Sequence, residues 1–314
     1  MAFLSIRKIY LYNIFKALLA FFYGYFILLN INLDLVNDSG DISSLLKQVE
    51  NKINDPDLTF EYLFYFLINK VNDLFNVDYF TIFKSIAFFS SIFIFYIFSI
   101  NSNFKSNSIY LIILFFLIFI TPRTYDLFAS GIRSGFAFSI FFLALIYKNQ
   151  LLKYSLYILS CYIHFSMIPF IGLLVSFNLI KILKLNISKF LIFNFLIFFA
   201  ILMNYLTNVY LDVTFVSQSF RYKILILFIF IIFLTLDQKV YRNRYGFISI
   251  GILSIVIIGF IFDTSYVRYI GNSLLFYLYF LIEHNNRNSI KIFLICYAPI
   301  FFLMSFYSIR NIYG

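Results

Sequence analysis

The stretch Tyr154-Ser-Leu-Tyr-Ile-Leu-Ser-Cys-Tyr-Ile-His164-Phe-Ser-Met-Ile-Pro169-Phe-Ile-Gly-Leu-Leu-Val-Ser-Phe-Asn-Leu-Ile-Lys181-Ile-Leu183 decides how this chain is threaded. As one helix it would run to about 45 Å, too long for a single pass through about 30 Å of hydrocarbon. Basic loops settle the choice. If the stretch breaks near Pro169 and crosses twice, then Lys148/Lys153, Lys181/Lys184/Lys189, Lys239/Arg242/Arg244 and Arg287/Lys291 share a side with Arg7 and Lys8. If it crosses once, the last three groups move to the opposite side and the positive-inside bias collapses. Two short passes are therefore expected.

Apolar runs of similar length recur on either side of this stretch. Hydrophobic residues make up 62% of the 314 and charged residues 12%, against roughly 45–50% and 25% in soluble domains. This composition predicts an all-α, polytopic helical bundle forming a single integral membrane domain over 1–314. The expected spans are about 9–31, 79–100, 108–122, 127–147, 154–168, 170–183, 190–209, 222–237, 245–262, 268–283 and 291–309, about 11 in all. The first follows Arg7 and Lys8 but lacks a small-residue cleavage site, so it reads as a retained helix. Cys161 and Cys296 both fall inside spans and give no disulfide framework. The net charge of +10 sets orientation in such a protein and does not indicate nucleic-acid binding. The N-terminus is placed in the cytoplasm and the C-terminus outside.

This orientation also sorts the acids, which played no part in assigning it. Of the 14 Asp and Glu residues, only Asp237 and Glu283 remain inside. Seven of the others (Asp34, Asp38, Asp41, Glu50, Asp55, Asp57 and Glu61) lie in or just after the first outer loop. An outer acidic loop followed by an amphipathic interfacial helix is thus expected over about 32–76. In that helix Glu61, Tyr65, Asn69, Asn72 and Asn76 form one face, and Leu63, Phe64, Leu67, Val71, Leu74 and Phe75 the other. A helix packed on the bundle rim fits the same pattern.

Arg123, Arg133, Arg221 and Arg268 all fall at or just inside the outer face, and Lys84 lies a few residues inside its span. Taken singly, such residues are snorkelling anchors or members of ion pairs, for example Arg123 with Asp126 or Arg268 with Asp263. Arg133, in Leu127-Phe-Ala-Ser-Gly131-Ile-Arg133-Ser-Gly135, reads as about two turns inside a span, too deep for an anchor. Burying an arginine there costs on the order of 2.5–3.5 kcal/mol even on the lenient insertion scale, which makes it a functional candidate. Arginine suits a phosphate or pyrophosphate because its planar fork pairs bidentately with the oxygens. Gly131 and Gly135 form a G-x-x-x-G pair expected to admit another helix, while Ser130, Ser134 and Ala137 leave room beside the arginine. His164 would hydrogen-bond a phosphate or hydroxyl, move a proton, or simply tie neighbouring helices together. The only other histidine, His284, lies at the opposite face. No Cys/His/carboxylate cluster has metal-ligand spacing, so neither a metal nor another cofactor is expected. There is no Walker loop, dinucleotide fingerprint or G-x-S-x-G elbow.

The segment Arg133–Phe170, R-S-G-F-A-F-S-I-F-F-L-A-L-I-Y-K-N-Q-L-L-K-Y-S-L-Y-I-L-S-C-Y-I-H-F-S-M-I-P-F, resembles the signature of the EpsG/Wzy family of polysaccharide polymerases. In that family an arginine-bearing helix, a basic turn and an I-H-[FY]-S segment follow in this order. Phe60-Glu-Tyr-Leu-Phe-Tyr-Phe-Leu resembles its acidic-aromatic segment, and Ser134 stands where the family often has Gln. The resemblance implies a GT-C-like, metal-independent membrane glycosyltransferase at the outer face of the bacterial inner membrane. It would polymerise undecaprenyl-pyrophosphate-linked repeat units of O-antigen or capsule, with a flippase and a chain-length regulator as partners. Arg133 and His164, with Arg221 or Arg268, would stabilise the leaving pyrophosphate, and Glu61 or Asp126 would position or deprotonate the acceptor. Arg123, Lys84, Tyr125 and Ser134 would complete the pyrophosphate and sugar site. Three other readings stand beside it: a lipid-linked oligosaccharide flippase or other transporter, a polysaccharide acyltransferase, and a structural membrane subunit. The first should carry an internal repeat, and none is visible.

Overall fold

The computed structural model describes residues 2–36, 49, 62–102, 109–183, 194–203, 205, 240–261, 269–284 and 287–313. Among these the regular structure is helical, with no strand. The helices are α1 (Ala2–Val36), α2 (Tyr62–Phe75), α3 (Tyr79–Asn101), α4 (Ile109–Ile120), α5 (Pro122–Ala129), α6 (Ile132–Ile146), α7 (Gln150–Ile163) and α8 (Ile168–Ile182). They continue with α9 (Asn194–Met203), α10 (Arg244–Ile261), α11 (Tyr269–His284) and α12 (Arg287–Tyr313). Among the described residues three stretches are long and apolar enough to cross a membrane: Leu11–Ile31, Tyr79–Asn101 and Phe165–Ile182. The pair α4 and α5, bent by 51°, makes a fourth if taken as one span. Ile132–Ile146, Asn194–Met203, Arg244–Gly259 and Asn288–Leu303 are apolar but shorter. The expected span 222–237 lies outside the described residues, and of the outer acidic loop only 32–36, which continue α1, and Val49 are described.

The chain forms two compact units, one of Met1–Ser102 with Asp126–Ile168, the other of Asn103–Tyr125 with Pro169–Gly314. In the first, α1 packs along α3, α3 along α6, and α6 against α7. Aromatic rings fill the seams: Tyr23 stacks on Phe95 at 5.0 Å and Phe98 meets Phe142 at 5.0 Å. Such pairs add about 0.5–1.5 kcal/mol beyond area burial. Asp78 caps α3, its carboxylate accepting the Thr81 amide at 2.8 Å. At the far end of α3, the buried Lys16 of α1 donates to the Ile100 carbonyl at 3.5 Å and lies over the Tyr12 ring. A cation at a helix C-terminus is favourable there.

The helix expected after the first outer loop is present as α2, packed on α3 and α7, but the two sequence faces divide differently. Phe64, Tyr65 and Ile68 are buried, whereas Leu74 and Phe75 are 76% and 69% exposed. Beside a bilayer, outward apolar side chains are solvated by hydrocarbon, so the helix is free to turn a tyrosine inward.

The helix break expected near Pro169 is centred on His164 rather than on the proline. α7 ends at Ile163, His164 is extended (φ −154°, ψ 116°), a 3-10 turn covers Phe165–Met167, and α8 begins at Ile168. Pro169 lies in the first turn of α8, where its missing N–H breaks no helical bond.

A second correction concerns Arg133. α6 starts only at Ile132, so this arginine occupies the first turn of a helix and is not two turns inside a continuous span. Pro122 restarts the helix as α5, and the Asp126 carbonyl then accepts the amides of Ser130 and Gly131 at 3.1 and 2.8 Å, which ends it. The two glycines serve this reversal. A Cβ on Gly135 would lie 2.5 Å from the Leu127 carbonyl oxygen, and one on Gly131 3.2 Å from the same atom. The pair admits the end of α5, the segment just before it in the chain, instead of a distant helix.

In the second unit, α10 and α11 cross at two serines that bond each other's backbone, Ser249 Oγ to the Ser273 carbonyl at 2.8 Å and Ser273 Oγ to the Ser249 carbonyl at 2.9 Å. Small residues allow such close crossings. Thr121, at the bend before Pro122, bonds Tyr297 of α12 at 2.5 Å. Gly271 in the first turn of α11 sits against the backbone of Arg123, so that a Cβ would overlap the carbonyl oxygen and approach its carbon to 2.8 Å. Gly271→Ala is therefore expected to cost about 1–3 kcal/mol, the range for overpacking, read as a lower unfolding temperature in detergent. Gly172→Ala meets only the end of the Phe199 ring, which can swing aside, and should cost less. Equal effects would show that the backbone approach at Gly271 is not tight.

Candidate functional site

The first unit gathers the candidate chemistry at one end of the α6–α7 hairpin. The two helices are of nearly equal length, 15 and 14 residues, and are joined through Tyr147–Asn149. Arg133, second in α6, and His164, the residue after α7, lie at nearly equal chain distances from that turn. The hairpin geometry thus returns them to the same end, and α6 also packs against the 3-10 turn that follows His164.

Arg133 is half-buried. Its Nη1 donates to Tyr65 Oη at 2.6 Å, and its Cζ lies 5.5 Å from the Tyr65 ring centroid. Tyr65 is itself fixed, 1% exposed and edge-on to Phe64 at 5.7 Å, while Phe64 stacks on Phe83 of α3. The guanidinium is therefore oriented by a buried phenol on α2. A cation in the first helical turn works against the macrodipole. The same turn supplies no intrahelical acceptor for the amides of Ile132, Arg133 and Ser134. Guanidinium and helix N-terminus therefore bring positive potential together at this end of α6. That combination suits an oxyanion.

His164 is held by its backbone, its N–H donating to the Ser160 carbonyl at 3.1 Å and its own carbonyl accepting from Met167 at 3.1 Å. The ring is half-buried and edge-on to Phe165 at 5.4 Å. Non-helical backbone at such a break is tolerated where it is enclosed by protein or lines a cavity.

The remaining candidates are spread more widely. Lys84, in the second turn of α3, lies over the Phe80 ring at 4.1 Å. Asp126 of α5 lies within electrostatic reach of the buried Tyr23 of α1. Arg123 and Tyr125, also on α5, belong to the second unit, where the Arg123 backbone packs on Gly271. Glu61, Arg221 and Arg268 lie outside the described residues.

Two residues escaped the sequence reading of the site. Tyr65 was visible only as one of several polar positions on α2, and nothing in the pattern paired it with Arg133. Lys16 is a buried lysine more than a turn inside α1, a signal as strong as that of Arg133, although its partner makes it a cap. No family model, characterised protein or solved structure matches this chain.

Proposed function

We propose that this protein is a membrane glycosyltransferase that joins lipid-pyrophosphate-linked oligosaccharide units into a surface polysaccharide. The observation that supports this most is the Arg133–Tyr65 pair at the N-terminus of α6, at the same end of the hairpin as His164. In the reaction an acceptor-sugar hydroxyl oxygen attacks the anomeric carbon of the donor chain. The anomeric C–O bond breaks, its electron pair leaves with undecaprenyl pyrophosphate, and the hydroxyl proton passes to a base. Arg133 and His164 stabilise the departing pyrophosphate. Glu61 or Asp126 positions the acceptor or takes its proton, and Lys84 and Ser134 serve the same site. The reading includes about eleven passes in a GT-C-like arrangement in the bacterial inner membrane, with the site facing outward. A flippase would supply the substrate and a chain-length regulator would limit the product.

Deleting the gene should leave a single repeat unit on the carrier or lipid core where the wild type shows a ladder of lengths. Complete loss of surface repeats would point instead to a flippase. Sidedness has its own check. Cysteines placed at Ser39 and Ser265 should react with an impermeant reagent from outside, and one at Asn149 should not. Labelling at Asn149 alone would reverse the orientation on which the outward site depends.

A further inference from the structure

The second unit carries a charged cluster that the α6–α7 site does not use, at one end of the α10–α11 pair. Asn243 caps α10, its Oδ1 accepting the amides of Tyr245 and Gly246 at 2.8 and 3.4 Å. Its Nδ2 turns to the other helix and donates to Glu283 Oε2 of α11 at 2.6 Å. Arg244, first in α10, donates from Nη2 to Tyr245 Oη at 2.5 Å, and its Cζ lies 4.6 Å from that ring centroid. Tyr245 and Tyr279 are both buried, with ring centroids 4.5 Å apart. The network joins the two helices with its phenols inside and its charges toward the surface. Glu283 is exposed and Arg244 half-buried.

These opposite charges are near each other and yet unjoined. Arg244 and Glu283 both lie within electrostatic reach of the same two tyrosine hydroxyls, but among the described residues neither forms an ion pair. Asn243 holds the carboxylate by one oxygen and Tyr245 holds the guanidinium by one arm. The second carboxylate oxygen and the rest of the guanidinium fork can therefore serve another molecule.

With 245–262 and 268–283 as membrane spans, this end of the pair lies in the headgroup layer. A ligand that answers an acid and an arginine held side by side carries a cation and an anion of its own, as a zwitterionic phospholipid does. We infer that the Glu283–Arg244 end of α10–α11 seats the phosphoethanolamine headgroup of a bilayer lipid, its ammonium on the Glu283 carboxylate and its phosphate on Arg244. Ethanolamine suits the cluster better than choline, because a carboxylate accepts N–H bonds from a primary ammonium. A quaternary ammonium is recognised by open aromatic faces, and the rings of Tyr245 and Tyr279 are buried. A purely anionic headgroup would be opposed by Glu283. The inference rests on the span reading under Proposed function and not on the polymerase reaction.

The test is native mass spectrometry of the full-length protein in detergent, offered phosphatidylethanolamine, phosphatidylcholine and phosphatidylglycerol at equal concentration. Phosphatidylethanolamine is expected to be retained over either other lipid by about tenfold or more, the scale of one hydrogen bond to a charged group. Glu283→Gln removes the charge while its amide oxygen can still accept from Asn243. It should bring phosphatidylethanolamine down to the level of phosphatidylcholine. Glu283→Lys should go further and turn the preference toward phosphatidylglycerol, a gain that loss of folding cannot imitate. Equal retention of the three lipids by the wild type, a wild-type preference for phosphatidylglycerol, or a preference unchanged in Glu283→Gln would overturn the assignment. So would displacement of the lipid by free phosphoethanolamine at equal concentration, which would make the ligand a soluble zwitterion. The readout is lipid retention, so its failure leaves the polymerase reading standing. A deletion strain that still makes its full ladder would overturn the polymerase reading and leave the lipid site standing.

Discussion

Arg133→Lys is expected to abolish polymer assembly almost as completely as Arg133→Ala, with turnover falling about 10²–10³-fold, the scale for losing one preorganised donor at a developing anion. A lysine keeps the charge and most of the reach. It cannot keep the planar fork that bonds Tyr65 through one arm and that, in the proposed reaction, pairs bidentately with a phosphate. The ammonium would also sit in the first turn of α6, where it meets the same unfavourable dipole without the bidentate return. Tyr65→Phe separates orientation from charge, because it keeps the ring under the guanidinium and removes only the hydroxyl. It should lower turnover by less than Arg133→Lys and leave the protein folded. Polymer of normal length from Arg133→Lys would mean that any positive charge suffices there, and the pyrophosphate-clamp role would have to be given up.

His164→Ala should also reduce turnover strongly, and His164→Gln should restore part of it if the imidazole mainly donates a hydrogen bond to phosphate. An amide donates but does not shuttle protons at neutral pH. The backbone of His164 already holds the break through its bonds to Ser160 and Met167, so both variants should keep the α7–α8 junction and report on the ring. A Gln variant as inactive as Ala would favour proton transfer. Full activity in Ala would make the ring a packing group against Phe165. The same assay tests the expectation of metal independence. Polymerisation by purified protein should survive EDTA, and a loss that magnesium restores would rule out the mechanism proposed here.

Hydropathy and length were enough to read the membrane-helical class, because each span must satisfy its own backbone bonds and so betrays itself locally. They were also enough to break Tyr154–Leu183 in two, since no 30-residue helix fits one crossing. The end of α7 was less legible: a proline in a first helical turn looks, in sequence, like one that breaks a helix. The partners of the site residues could not be read at all. Periodicity assigns residues to faces of a helix and says nothing about which helix each face will meet. Only the folded chain puts Tyr65 of α2 on Arg133, turns Gly131 and Gly135 toward their own preceding helix, and closes α11 onto the Arg123 backbone at Gly271. It also moves Arg133 from the depth of a span to a helix N-terminus. Sequence alone marked this arginine as costly on the premise that it lay deep in a span, a premise that the helix start at Ile132 removes. The tertiary structure decided what surrounds it, because the turn that ends α5 depends on close backbone contacts that local composition does not encode.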